Sequence, residues 1–172
     1  MEKEWLQSIS ENEKKNFKGI RYMDDILMMI TKDNKWNREK FLNDFEESTC
    51  YWTPLKLEKS KEGIFLETRF EKRGNRTVFR LKNDNEENTH IWRYHHYRSD
   101  SNYWTKRATL MASLRKLHRM ASDEEQLKIS AIAKLNEFKL LEYPVGIRKH
   151  MCAIMARDEN TITWRSIRRL QN

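Results

Sequence analysis

Asp24 and Asp25 stand side by side in Tyr22-Met23-Asp24-Asp25, between Gly19-Ile20-Arg21 and the apolar run Ile26-Leu27-Met28-Met29-Ile30. Two adjacent carboxylates among apolar segments are costly to bury as charges, so the pair calls for water, a basic partner or a cation. Hard cations such as Mg²⁺ take carboxylate oxygens and keep several waters. A hairpin turn fixes two neighbouring Asp residues at a strand end with backbone on either side. The plainer alternative is an ordinary Asp-Asp turn, because Asp favours turns through bonds to its own backbone.

Two further groups could carry chemistry. The cluster His90-Ile91-Trp92-Arg93-Tyr94-His95-His96-Tyr97-Arg98 could stack on bases, since aromatic rings and Arg planes hold single strands. It has no Cys or acidic neighbour to complete a zinc set, and packing by Trp92 and Tyr94 is the simpler use of it. Cys50 and Cys152 are too few and too far apart for a disulfide framework or a zinc cluster, and read as thiols of a reducing compartment.

The elements that must position these residues follow from periodicity. Residues 1–18 are polar, helix or loop, with Trp5, Leu6 and Ile9 as an apolar stripe. Ile20 to Ile30 reads as two short strands joined at the Asp pair. Trp36 to Phe45 reads as an amphipathic helix with Trp36, Phe41, Leu42 and Phe45 inward, ended by Thr53-Pro54. Leu55-Lys56-Leu57-Glu58 alternates like a strand. Ile64 to Phe70 and Thr77 to Leu81 flank Gly74-Asn75 as a hairpin. Asn83 to Asn88 is uniformly polar, the best linker.

Beyond it the pattern turns helical. A helix from about Asn102 to Met120 carries Trp104, Ala108, Met111, Leu114 and Ala121 on its expected inner face. Ser122-Asp123-Glu124-Glu125 is a capping-box pattern, opening a helix with Leu127, Ala131, Leu135 and Phe138 inward. Pro144 stops it, Val145 to Ala156 forms another, and Trp164 to Arg169 is a basic tail. The expected fold class is α+β: antiparallel hairpins plus helix, then a small all-helical domain. The expected division is 1–82, a linker 83–101, and 102–172.

Composition narrows the function classes. Of 172 residues, 38% are hydrophobic and 35% charged, and only four Gly and two Pro argue against low complexity. No run approaches the roughly 20 apolar residues of a membrane helix, and no signal peptide is visible, so an intracellular, soluble protein without a membrane partner is expected. The net charge of +8 is uneven: Lys and Arg number nine against eleven Asp and Glu in residues 1–50, but sixteen against nine in 87–172. An acidic first segment and a basic second half suit a metal beside a polyanion. Arg107, Arg115, Lys116 and Arg119 on the first long helix suit phosphate contacts; a solvated charged face is the alternative.

Tyr-Met-Asp-Asp within a strand-rich apolar stretch resembles the metal-binding hairpin of reverse transcriptases, where Met is a common occupant of the second position. The order that follows is similar to that family's palm: a helix, a strand, Phe65-Leu66-Glu67-Thr68, and a hairpin that grips the primer. The resemblance implies a partial polymerase palm followed by a helical thumb, and RNA-directed DNA synthesis by two divalent cations, Mg²⁺ (or Mn²⁺), about 4 Å apart. It implies Asp24 as the principal metal ligand and Asp25 as a secondary one, with Tyr22 and Met23 near the primer terminus. Phe79 and Arg80 become candidates for primer contact, against an alternative in which Phe79 is core and Arg80 faces outward. Lys56, Lys59 or Lys61 could donate the proton to pyrophosphate, with Lys56 taken as the representative. The stretch from His96-Tyr97 to Lys106-Arg107, with Leu141-Glu142-Tyr143-Pro144, more loosely resembles the region after the palm in Penelope-like and related retroelements.

The family also needs an earlier palm strand with another carboxylate, and fingers that clamp the nucleotide. Only 21 residues precede Tyr22, so the resemblance implies a chain inactive alone, whose partners are a primed RNA or DNA template, dNTP and the upstream polymerase. A non-catalytic basic nucleic-acid-binding module, or a helical interaction domain with a chance motif, are the competing readings.

Overall fold

The computed structural model describes residues 6–23, 25–31, 38–47, 63–83 and 93–171. They form two compact units, Met1–Leu66 and Glu67–Asn172. Among these residues are helices and two small antiparallel hairpins, the mixed class expected.

In the first unit, α1 (Glu11–Lys14) starts at a reciprocal capping box. The Glu13 N–H donates to Ser10 Oγ, and the Ser10 N–H donates to the Glu13 carboxylate at 3.0 Å. β1 (Phe17–Tyr22) and β2 (Asp25–Ile30) pair antiparallel from Phe17↔Ile30 to Tyr22↔Asp25. The expected pair of strands is found, with β1 beginning three residues earlier. There the Thr31 N–H donates to the Asn16 carbonyl at 2.8 Å and closes the open end. α2 (Arg38–Glu46) buries Phe41 and Phe45 and half-buries Leu42, and the Phe17 ring lies 4.8 Å from Phe41. Ile64–Phe65 forms the short β3. Trp36, Cys50 and the Leu55–Glu58 strand lie outside the described residues.

The second unit opens with β4 (Thr68–Arg73) and β5 (Arg76–Leu81), joined at the expected turn, where Gly74 adopts φ +59° without a Cβ to oppose it. Four helices follow among the described residues: α3 (Tyr103–Arg119), α4 (Glu124–Leu140), α5 (Val145–Asp158) and α6 (Ile162–Arg169). Their core is built from leucines of α3 and α4, the methionines and Cys152 of α5, and Trp164 and Ile167 of α6. Leu127, Ala131, Leu135 and Phe138 are all buried, as the period of α4 indicates.

Two expectations need correction, and a third gains an element. The inner face of α3 is Lys106, Leu110, Leu114 and Leu117, whereas Trp104 is 69% exposed and Ala108 lies outside. Two leucines outweigh Trp and Ala in choosing the face, and Lys106 joins them by burying its stem while Nζ donates to the Ser99 carbonyl at 2.6 Å. The cap of α4 is Asp123, whose carboxylate accepts from the Gln126 N–H at 2.8 Å; Ser122 instead accepts from the Phe79 N–H at 3.0 Å. The basic tail is a helix, because Trp164 and Ile167, three apart, reach the core together.

The compact-unit boundary after Leu66 differs from the sequence division at 82. Hairpin β4–β5 belongs with the helices: the Ser122 N–H donates to the Phe79 carbonyl, Arg73 pairs with Glu125 at 2.8 Å, and Lys116 with Glu67 at 2.5 Å. Within the expected linker, Tyr94 stacks on Phe138 at 4.8 Å and Tyr97 meets Tyr143 edge-on at 5.3 Å. No helix among the described residues is long and apolar enough to cross a membrane.

Candidate functional site

The β1–β2 register sets Tyr22 opposite Asp25 and leaves residues 23 and 24 to connect the strands. Met23 takes φ 50°, a left-handed conformation that costs a non-glycine residue free energy and so depends on its surroundings. The Arg21 Nε donates to the Met23 carbonyl at 2.8 Å and holds that turn. Tyr22 and Met23 are exposed, Met23 by 74%, and Asp25 is exposed as well. A ligand arriving at this end of the hairpin meets Tyr22, Met23 and Asp25 without rearrangement. Asp24 lies outside the described residues, as do Lys56, Lys59 and Lys61.

Among the described residues no three His, Cys, Asp or Glu side chains gather to hold a metal ion. Asp25 offers oxygen of the type Mg²⁺ prefers, but a carboxylate pair alone is an incomplete set for two cations.

The remaining sequence-named residues are dispersed through the second unit. Phe79 is half-buried, its ring 5.8 Å from Phe70, while Arg80 is only 8% exposed with its guanidinium 3.8 Å from Glu71. Of the alternative with Phe79 in the core and Arg80 outside, the second part is overturned: Arg80 is turned inward while Phe79 is half covered.

On α3, Arg107 lies 5.4 Å from the Tyr103 ring and 5.3 Å from the Trp104 ring. That makes an exposed aromatic pair with a cation against it, a surface on which bases stack. Arg115 reaches Asp158 at 3.3 Å and Lys116 reaches Glu67 at 2.5 Å. The Lys116 ammonium, donating to Glu67, holds that carboxyl below its usual range. Half of the cations expected to meet phosphate on α3 are therefore already engaged by carboxylates. Arg119 is exposed and in no ion pair among the described residues.

Sequence reasoning passed over a stronger basic surface. A groove of about 580 Å³ between α5 and α6 is lined by Lys149, Arg157, Arg165, Arg168 and Arg169 over a floor of Ala153 and Ala156. The signal was present in the spacing: 149, 153, 156 and 157 share one helical face, and so do 165, 168 and 169. Reading the tail as basic without reading it as a helix hid the convergence.

The His90–Arg98 cluster serves packing where it is described: Tyr94 and Tyr97 join the core, and Arg98 pairs with Glu142 at 2.5 Å. Comparison with protein-family models, curated proteins and solved structures finds no match to this chain.

Proposed function

We propose that the chain is the Asp-Asp-hairpin and thumb part of an RNA-directed DNA polymerase. The observation that carries this reading is the β1–β2 hairpin, with Tyr22-Met23-Asp24-Asp25 at the junction of its strands and exposed residues on both sides of Asp24. A divalent cation there supplies Lewis acidity toward the primer hydroxyl and the triphosphate. Asp24 and Asp25 would hold it, and Tyr22 and Met23 would flank the primer terminus. Two cations need more donors than the Asp pair supplies, so the reading calls for a further carboxylate and the nucleotide pocket from another segment. Primed template and dNTP are the partners.

The test is RNA-templated primer extension in Mg²⁺ with a fingers-and-palm polypeptide added to complement the chain. Extension that Asp24→Asn abolishes supports the reading. Extension indifferent to Asp24→Asn and Asp25→Asn, together with Mn²⁺ that leaves the Tyr22, Asp25 and Ile26 amide resonances unbroadened, overturns it.

A second reading, nucleic-acid binding without catalysis, is favoured by the exposed Tyr103–Trp104–Arg107 cluster. It expects strand binding that Trp104→Ala weakens and that both Asp→Asn variants leave unchanged.

A further inference from the structure

We propose that the α5–α6 groove is a binding site for the phosphodiester backbone of a nucleic acid. The proposal rests on the nucleic-acid-binding part of the reading above and not on catalysis at the Asp pair.

Among the described residues five cations line this groove and no carboxylate does. Lys149, Arg165, Arg168 and Arg169 are in no ion pair among the described residues, and Arg157 alone shares Asp158. The contrast with α3 is direct, since there Arg115 and Lys116 have carboxylate partners. Like charges brought together without counter-charge repel, and an anion relieves that repulsion. Guanidinium groups match phosphate oxygens with two parallel hydrogen bonds, and three of them come from one face of α6.

The extent of the site points to a polymer. Lys149 and Arg157 are separated along α5 by about 12 Å at the helical rise of roughly 1.5 Å per residue, a span several successive phosphates cover and one does not. The alanine floor lets a backbone strand approach closely. A lipid surface would need a continuous apolar face beside the cations. Here Trp164 and Ile167 are fully buried, leaving Ile162 and Leu170 at opposite ends of α6.

The experiment is fluorescence anisotropy of the full chain with a labelled mixed-sequence duplex, in EDTA, across a salt series. Replacing Arg165, Arg168 and Arg169 together by Gln is expected to lower the slope of log K against log salt by about 3, at roughly 0.9 per phosphate contact, and to weaken binding on the order of a hundred-fold near physiological salt. The corresponding triple Lys variant keeps the charge and is expected to keep the slope. Because the three side chains are exposed, an unchanged thermal melt will show that the fold survives.

The assay runs in EDTA, where no divalent cation reaches the Asp pair, so failed primer extension and a failed groove are separate results. An unchanged slope in the Gln variant, with the loss appearing instead in Arg107→Gln/Arg119→Gln, overturns the proposal. So does binding confined to phosphatidylserine vesicles, or to inorganic tripolyphosphate.

Discussion

The β1–β2 hairpin and the four helices treat apolar side chains in opposite ways. Along β1 only Phe17 is partly covered, Ile20 is 53% exposed, and Tyr22, Met23 and Met29 are also open to solvent. In the helical unit Leu110, Leu114, Leu135, Phe138, Trp164 and Ile167 are fully buried. Ladder pairing and a short turn define the hairpin, whereas contiguous side-chain packing defines the helices. The difference teaches where precision resides: the helices are a self-supporting platform, and the carboxylate-bearing hairpin is a presented edge whose geometry depends on what covers it.

The largest expected effect lies in the platform. Trp164→Ala removes a fully buried indole, whose Nε1 donates to His118 Nδ1 at 3.4 Å, and is expected to cost about 3–5 kcal/mol, as large aromatic deletions do. Cys152 reports the event. Burial pushes its thiol up to about 12, so Cys152 in the native protein should resist thiol reagents near neutral pH and react only through opening of the core. Trp164→Ala should accelerate Cys152 labelling steeply while lowering the denaturation midpoint. A midpoint unchanged within error would mean that α6 is not part of the platform.

How much could be read beforehand follows the same division. The β1–β2 strands, the turn at Gly74 and the buried set of α4 were legible, because short apolar segments broken by an Asp pair, a Gly-Asn turn and a strong 3.6-residue stripe are local signals. The face of α3 was legible only in part: Leu114 and Met111 do pack on the core, but Trp104 and Ala108 offered a competing stripe and only packing chose Leu110 and Leu117. The stop of α4 was placed by Pro144, but its geometry was hidden. Glu142 takes φ 62°, the Tyr143 N–H donates to the Phe138 carbonyl, and the Glu142 N–H to that of Lys139. That arrangement is a Schellman motif with glutamate where glycine is usual. The Asp pair was conspicuous, whereas the α5–α6 groove needed two helices at once and was not.

An intermediate effect sharpens the comparison at the junction of hairpin β4–β5 and α4. Asp123→Ala removes the cap whose carboxylate accepts from Gln126, and caps of this kind are worth about 1 kcal/mol. The Gln126 N–H, followed by Ser122, holds the Asp123 carboxyl below its usual range. The sign follows: a depressed carboxyl stabilises fully above its unfolded value, near 3.9, and the contribution is lost as pH falls through the lower folded value. Urea denaturation should therefore separate wild type from Asp123→Ala at neutral pH, and the two curves should converge in strong acid. A gap that persists unchanged there would mean that packing, not the ionised cap, is responsible.

The smallest effect is the most exacting, because it asks whether the hairpin is as lightly held as its exposure says. Ile20 faces Leu27 across the ladder and its side chain is more than half exposed. Ile20→Ala should then cost only the cross-strand contact, about 0.2–1 kcal/mol, and leave the cooperative melt of the helices in place. Amide exchange across residues 17–30 reads the hairpin itself, where protection should fall modestly and most at Leu27. A loss of several kcal/mol would break the comparison: it would require Ile20 to be buried in solution against another chain, and the hairpin would then be an interface and not a free edge. Equal costs from Ile20→Ala and Ile26→Ala would argue the same way, since Ile26 is the more covered of the two. A small cost at Ile20 with a larger one at Ile26 is the result in which the covered side of the hairpin orients Asp25 and the open side stays available to a partner.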